Sequence, residues 1–345
     1  MQHLLAQSAP EFESWLAEHE APAYRAKQVW RWLFQQRAER FEQMTDLPQA
    51  LRQKLEADFQ IWSMRVVAEK RAEDHTQKLL LELEDRQRIE CVLLADDREH
   101  HTACISTQVG CAMGCVFCAS GLEGVARNLT TGEIVEELLQ LARRLEPQER
   151  LSHVVVMGMG EPLANLPNLM PALALASSPK GLGISARRIT ISTVGLPPAI
   201  RRLAEMNCQY HLAISLHAPD DELRNQIVPA NQKVGIASIL AAADDYFGAT
   251  GRRVTFEYVL LAGMNDQPEH ARKLGALLAG RPALVNLIPY NPVRGLPYST
   301  PSSAATARFV DILTRGGVNV AIRYRKGERI DAACGQLRRE VRPAS

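Results

Sequence analysis

Cys111, Cys115 and Cys118 stand in one short run, QVGCAMGCVFCASG, at the spacing C-x3-C-x2-C. Three thiolates with no evident fourth ligand beside them suit an iron–sulfur cluster in which one iron stays open to another molecule. Structural zinc sites are usually closed by four ligands, often as two separated pairs, so zinc or three unrelated thiols is the weaker reading. Further along, Met157-Gly158-Met159-Gly160-Glu161-Pro162 offers two glycines that let backbone approach a ligand, and Glu161 can accept a hydrogen bond from an ammonium group. Ser192, Ser215, Leu216, His217 and Asn291 stand in segments that each follow an apolar run. Singly, each polar one reads equally well as a cap or turn residue.

Two more cysteines stand where thiol chemistry would be useful. Cys334 lies among small residues in DAACGQL near the C-terminus, and Cys104 precedes the cysteine run. A buried small hydrophobe is the ordinary reading of such a cysteine, whereas a thiolate near a reactive site can carry a group or form a mixed intermediate. Cys91 and Cys208 sit in apolar surroundings and read as structural. Glu90, in IECVLL, is a carboxylate at a strand position, either an exposed charge or a base.

These residues need a scaffold, and the alternation of patterns names one. Residues 1–60 read as helical, with Val29, Leu33, Met44, Leu51 and Leu55 among charged positions and Pro22 and Pro48 as punctuation. In KLLLELEDRQRIECVLL two strands are expected around the polar EDRQR turn. From residue 103 strands are expected over 103–106, 153–157, 188–192, 211–216, 254–260 and 284–288. Helices are expected over 132–145, 197–206, 236–247, 268–278 and 302–316, the first opened by a Thr130/Glu133 capping box. Six β/α units predict a parallel sheet curled into a partial or complete barrel, with the ligand-facing residues at the strands' C-terminal ends.

With 345 residues, 46% of them hydrophobic, the chain can bury one large core plus a small appended domain. The net charge of +1 argues neither for nor against nucleic acid. Local charge says more: 25–40 holds five basic residues and one acidic, interleaved with aromatics, and 315–342 holds eight basic and three acidic. Either stretch could face phosphates or be a solvated surface. The cysteine pattern is not that of a secreted disulfide framework. No signal peptide is indicated, and no apolar run reaches the roughly 18–20 residues that span a bilayer, so a cytoplasmic location is expected.

Phe117 completes a C-x3-C-x-F-C pattern, the signature of radical S-adenosylmethionine (SAM) enzymes. Together with MGMGEPL, ISTVG, SLHA, NLIPYNP and DAACGQL, in that order, and with YRAKQVWRWLF and MTDLP upstream, the chain resembles the RlmN/Cfr family of radical SAM RNA methyltransferases over nearly its whole length. The resemblance implies an α/β fold: a partial (β/α)6 TIM-like radical SAM barrel over 97–327, a small helical RNA-binding domain over 1–60, a β connector over 61–96 and a tail over 328–345. It implies one [4Fe-4S] cluster on Cys111, Cys115 and Cys118, and SAM, two molecules per turnover, bound by Gly160, Glu161, Ser192, Ser215, Leu216, His217 and Asn291. Cys334 would carry the methyl group, Cys104 would resolve the adduct through a disulfide, and Glu90 would be the proton acceptor, although its spacing to Cys104 is one residue longer than the family's usual pattern. Implied partners are 23S rRNA, tRNA and a reducing electron donor such as flavodoxin, with the enzyme a monomer and no membrane involved. The implied reaction is methylation of adenine carbon 2, at adenosine 2503 of 23S rRNA and adenosine 37 of tRNA, with Cfr-type carbon-8 methylation as the alternative within the family. A non-catalytic RNA-binding iron–sulfur protein is the alternative outside it.

Overall fold

Ser8 and Thr130 start two helices by the same device. In the computed structural model, which describes residues 1–96, 100–323 and 330–337, each hydroxyl accepts from the amide three residues on, and the glutamate there returns the bond. The chain opens with β1 (Gln2–His3), α1 (Ala9–Glu18), α2 (Tyr24–Phe34), α3 (Gln49–Asp58) and β2 (Phe59–Gln60), with β1 and β2 paired in parallel. Aromatics in this region pack inward: Trp30 and Phe34 are buried, and half-buried Trp32 donates its indole N–H to Asp46. Arg31 pairs with the same carboxylate at 2.6 Å. Arg37 reaches across to the carbonyls of Leu145, Glu146 and Glu149. Much of the basic, aromatic character of 25–40 therefore builds this unit and docks it, leaving Tyr24 and Lys27 exposed.

Three antiparallel strands follow, β3 (Arg65–Arg71), β4 (Gln77–Glu82) and β5 (Arg88–Ala95), one more than the two expected from the pattern. RVVAEKR is half exposed and mostly polar, so β3 carries little apolar signal. Then come β6 (His101–Cys104), a hairpin of β7 (Gln108–Gly110) and β8 (Val125–Asn128), and the alternating run: α4 (Thr131–Ala142), β9 (Leu151–Val156), α5 (Leu166–Ser177), β10 (Ile189–Thr193), α6 (Pro197–Glu205), β11 (His211–Ser215), α7 (Asp221–Ile227), α8 (Ile236–Thr250), β12 (Val254–Leu260), α9 (Pro268–Leu278), β13 (Ala283–Pro289), α10 (Ser303–Arg315) and β14 (Asn319–Ile322).

The order β14-β13-β12-β11-β10-β9-β6-β5-β4-β3 makes one ten-stranded sheet. Its strands from β6 through β14 in that order pair in parallel, and β5, β4 and β3 extend it antiparallel. This is the expected α/β partial barrel of six β/α units, closed off by a short seventh parallel strand that the pattern did not announce. The sequence reading also lacked α5, whose two prolines and apolar residues on every side blur helical periodicity. One apolar core runs from the N-terminal helices through the barrel. A second, including Phe117, Val194, Val259, Ile288 and Tyr290, gathers at the strands' C-terminal ends. No helix among the described residues is long and apolar enough to cross a membrane.

Candidate active site

The cysteine loop projects from the β7–β8 hairpin and is tied down from two sides. Val116 N–H donates to the Ile227 carbonyl at 3.1 Å, where α7 ends, and Ala119 N–H donates to Gly335 at 2.8 Å. Cys111, Cys115 and Cys118 line a cavity of about 160 Å³, room for many waters rather than a packing gap. Gly160, Glu161, Ser192, Ser215, His217, Asn291 and Cys334 line the same cavity, although they come from five separate segments. Burial pushes the Cys111 thiol up to about 11 and raises Cys115 and Cys118 as well; Cys118 adds to the cost of ionising Cys111, Cys118 and Cys111 add to that of Cys115, and Cys334 adds to that of Cys118. Bound cations reverse that logic by holding coordinating thiols deprotonated. No three His, Cys, Asp or Glu side chains among the described residues are spaced to hold a single metal ion. The three thiols stand around a common wall instead.

Gly160 has φ +104°, and a Cβ there would lie 2.7 Å from Gln108 Cβ, so only glycine allows this approach. Gln108 Oε1 in turn accepts the Glu161 amide at 2.8 Å. The Glu161 carboxylate accepts Leu163 N–H at 3.0 Å and Val194 N–H at 2.7 Å, joining the ends of β9 and β10. Burial raises its proton affinity while those bonds lower it, and unused lone pairs can take an ammonium group. Asn291 Oδ1 is buried without a partner while its Nδ2 donates to the Cys334 carbonyl at 3.2 Å. An acceptor left open in a ligand-sized cavity fits a polar ligand such as SAM.

His217 is neutral. Its Nδ1 accepts Val259 N–H at 3.1 Å, and burial, reinforced by the Arg224 charge, pushes it down to about 3. Phe117 meets its ring edge-on at 4.8 Å between centroids. Leu216 does not line the cavity: its side chain is in the main core, its N–H donates to Glu257 and its carbonyl accepts from Arg224.

A second cavity, about 170 Å³, is lined by Cys104 and shares Met157, Ile288, Asn291, Arg323 and Cys334 with the first. Cys334 thus stands in the wall shared by the cavity of Cys111, Cys115 and Cys118 and the cavity of Cys104. Burial pushes Cys104 up to about 12, with Cys334 beside it adding to the cost. Both are free thiols, as are the other five cysteines, so the disulfide implied for the resolving step is not present. Glu90 lines neither cavity. Its carboxylate is buried and pairs with Lys78 at 2.8 Å, and Lys78 also donates to the Asp331 carbonyl at 2.9 Å. An exposed strand charge is therefore the wrong picture of Glu90; Lys78 links it to the segment bearing Cys334.

Several lining residues escaped the sequence reading. Arg323 follows β14, and the Cys334 thiol, more than the Glu257 carboxyl, raises its hold on its proton. It also donates to Met157 Sδ at 3.3 Å. Glu257, raised by burial and held down by Arg323 and Asn286, is a lone carboxylate in an apolar strand. That isolation was a usable signal. Of the basic stretch 315–342, residues 324–329 and 338–342 lie outside the described residues, as does most of the expected tail.

Residues 105–274 match the radical SAM superfamily, and residues 2–61 match the ribosomal RNA large subunit methyltransferase N-terminal domain. A probable dual-specificity RNA methyltransferase RlmN of Rhodopirellula baltica is 59% identical, the alignment covering 98% of this chain and 91% of the relative. Its counterpart in Symbiobacterium thermophilum is 46% identical, with coverage of 98% and 91%. The crystal structure of a radical SAM methyltransferase from Sphaerobacter thermophilus superposes with a TM-score of 0.95 at 43% identity, covering 99% of this chain and 100% of that one.

Proposed function

The chain belongs to the RlmN family of radical SAM RNA methyltransferases, and from that premise we propose that it methylates carbon 2 of adenine in 23S rRNA and tRNA through Cys334. The position of Cys334 in the wall shared by two cavities is the observation that carries this reading. Adenine carbon 2 lies between two ring nitrogens and is not a nucleophile, so simple displacement of a methyl group from SAM by that carbon fails. Cys111, Cys115 and Cys118 would hold the [4Fe-4S] cluster, with Glu161, Ser192, Ser215, His217 and Asn291 around SAM. When bound, cluster and SAM supply the methyl group, an electron and the hydrogen-abstracting radical.

The protein's own part is to carry carbon on sulfur. Cys334 takes the methyl group on its thiolate and presents that carbon to the base, forming a sulfur–carbon link to the RNA. A base, for which Glu90 is the candidate, removes the ring proton; its pairing with Lys78, which touches the Cys334 segment, keeps it near the tail. Cys104 sulfur then attacks Cys334 sulfur, the bond between Cys334 sulfur and the transferred carbon breaks, and that carbon, still joined to adenine, takes up a proton to become the methyl group of the product as the two cysteines form a disulfide. Apolar walls including Phe117, Val259 and Ile288 exclude water from the chemistry. An unstacked adenine is needed, and RNA loops offer one at least cost. Nucleoside mass spectrometry of RNA treated with the reconstituted, reduced enzyme tests the reading: 2-methyladenosine is expected, whereas 8-methyladenosine, the Cfr-type product, would overturn it.

A further inference from the structure

Arg224 is 1% exposed and takes no part in the steps above. From the middle of α7 it spreads its guanidinium over the ends of two barrel strands. Nε donates to Leu216 O at 2.9 Å, and Nη2 donates to Ser215 O at 2.9 Å and Val194 O at 2.5 Å. Nη1 donates to Asn231 Oδ1 at 2.5 Å. These acceptors are neutral, so the charge itself is not cancelled by a direct carboxylate contact. Asp221 acts on it at longer range and is otherwise committed to Asn231 and the Ile236 amide. Burial lowers the guanidinium to about 10, with Cys115 and Asp221 opposing, so Arg224 is a cation at neutral pH.

The strand ends it gathers carry Ser192, Ser215 and His217, and α7 ends at Ile227, whose carbonyl receives Val116 of the cysteine loop. One buried side chain therefore sets the distance between the ligand-facing ends of β10 and β11 and the helix that anchors the cluster loop. We infer that Arg224 is a positioning residue that aligns these strand ends for SAM and holds a buried positive charge in the helix that anchors the cysteine loop. This rests on the cluster and SAM sites proposed above. Reduction adds negative charge to a cluster, and a fixed cation in a poorly screened interior stabilises the reduced form more than the oxidised one.

The test uses the full chain with its cluster reconstituted, comparing Arg224→Lys and Arg224→Gln with the unaltered protein. SAM affinity is measured by calorimetry and the cluster's midpoint potential by EPR-monitored titration. Lysine keeps the charge without the planar fork, and glutamine loses both. Both variants are expected to bind SAM about tenfold or more weakly, with only Arg224→Gln shifted to lower potential. SAM affinity within about twofold of the parent in both variants, or an unshifted potential in Arg224→Gln, overturns the inference. Should neither variant fold, Asp221→Asn strips the distant counter-charge while keeping an acceptor for Asn231, and the potential should rise; no rise overturns the charge role. Failure of the unaltered protein to bind cluster or SAM would instead sink the site assignment itself.

Discussion

Replacing Gly160 with alanine should damage the fold and the site together, and the size of the effect can be built from its parts. The added Cβ would stand 2.7 Å from Gln108 Cβ, 2.8 Å from its Cγ and 2.8 Å from its backbone N. Backbone cannot swing aside as a side-chain tip can. The φ of +104° also strains any residue with a Cβ, at about 1–3 kcal/mol, and forced overpacking costs about 1–3 kcal/mol more. Gln108 is held at both ends of its amide, by the Glu161 N–H at 2.8 Å and by Asn128 Oδ1 at 2.7 Å. Displacing it strips a buried N–H of its acceptor, a further cost of about 1–3 kcal/mol. Because these terms share one displacement they do not simply add, and a total on the order of 3–6 kcal/mol is expected. In guanidinium, with a slope of about 2–6 kcal/mol per molar, the midpoint should fall by on the order of 1 M. Cluster-free protein should be used for the measurement, so that metal loss is not mixed with unfolding. Gly183→Ala is the control: φ there is +65°, yet nothing lies within 4 Å of the added Cβ, so only backbone strain of about 1–2 kcal/mol is paid. If Gly160→Ala unfolds no earlier than Gly183→Ala, the close approach of the Gly160 backbone to Gln108 is not what holds the glycine there.

Three further outcomes follow from the site. Lys78→Met takes the counter-charge from buried Glu90 and should cost about 3–5 kcal/mol in denaturant unfolding, most of it recovered in a Lys78→Met, Glu90→Leu double variant; an equally unstable double variant would contradict the pairing. Cys334→Ala should abolish methylated nucleoside, while Cys104→Ala should accumulate protein crosslinked to RNA on denaturing gels; ordinary product release by Cys104→Ala refutes the resolving role. His217 is held neutral with its affinity for protons lowered to about 3, so its contribution to stability is complete above the unfolded histidine value and is lost as pH falls from about 6.5 toward 3. Its share of that loss should be about 2 kcal/mol by pH 5. His217→Asn, which tolerates the positive φ and can still accept Val259 N–H, should flatten that acid limb, and an unchanged limb would place the titration elsewhere.

Most of the residues that gather around the first cavity were legible in the chain because their patterns are local. Three thiolates within eight residues, glycines beside a glutamate, and small polar groups after apolar runs are short-range patterns, and the parallel barrel follows from the alternation of periods two and 3.6. β14 and α5 were not legible: one is four residues long, the other apolar on all sides with proline inside, so neither offers a period to read. The aromatic members of α2 showed the limit of composition, since Trp30 and Phe34 look the same in a sequence whether they stack on a base or fill a core.

Which groups meet was decided by tertiary structure. Nothing in IECVLL announces that Glu90 is buried against Lys78, and nothing in a seven-residue helix announces that Arg224 gathers two strand ends. Cys334 and Cys104 lie far apart in the chain, and only the tertiary placement of the segment 330–337 puts them on one cavity. The sequence by itself determined the kind of chemistry, because residue type and short spacing set what a group can bind or carry. The fold decided where that chemistry goes, because burial, counter-charge and shared cavity walls are contacts between segments that no local pattern encodes.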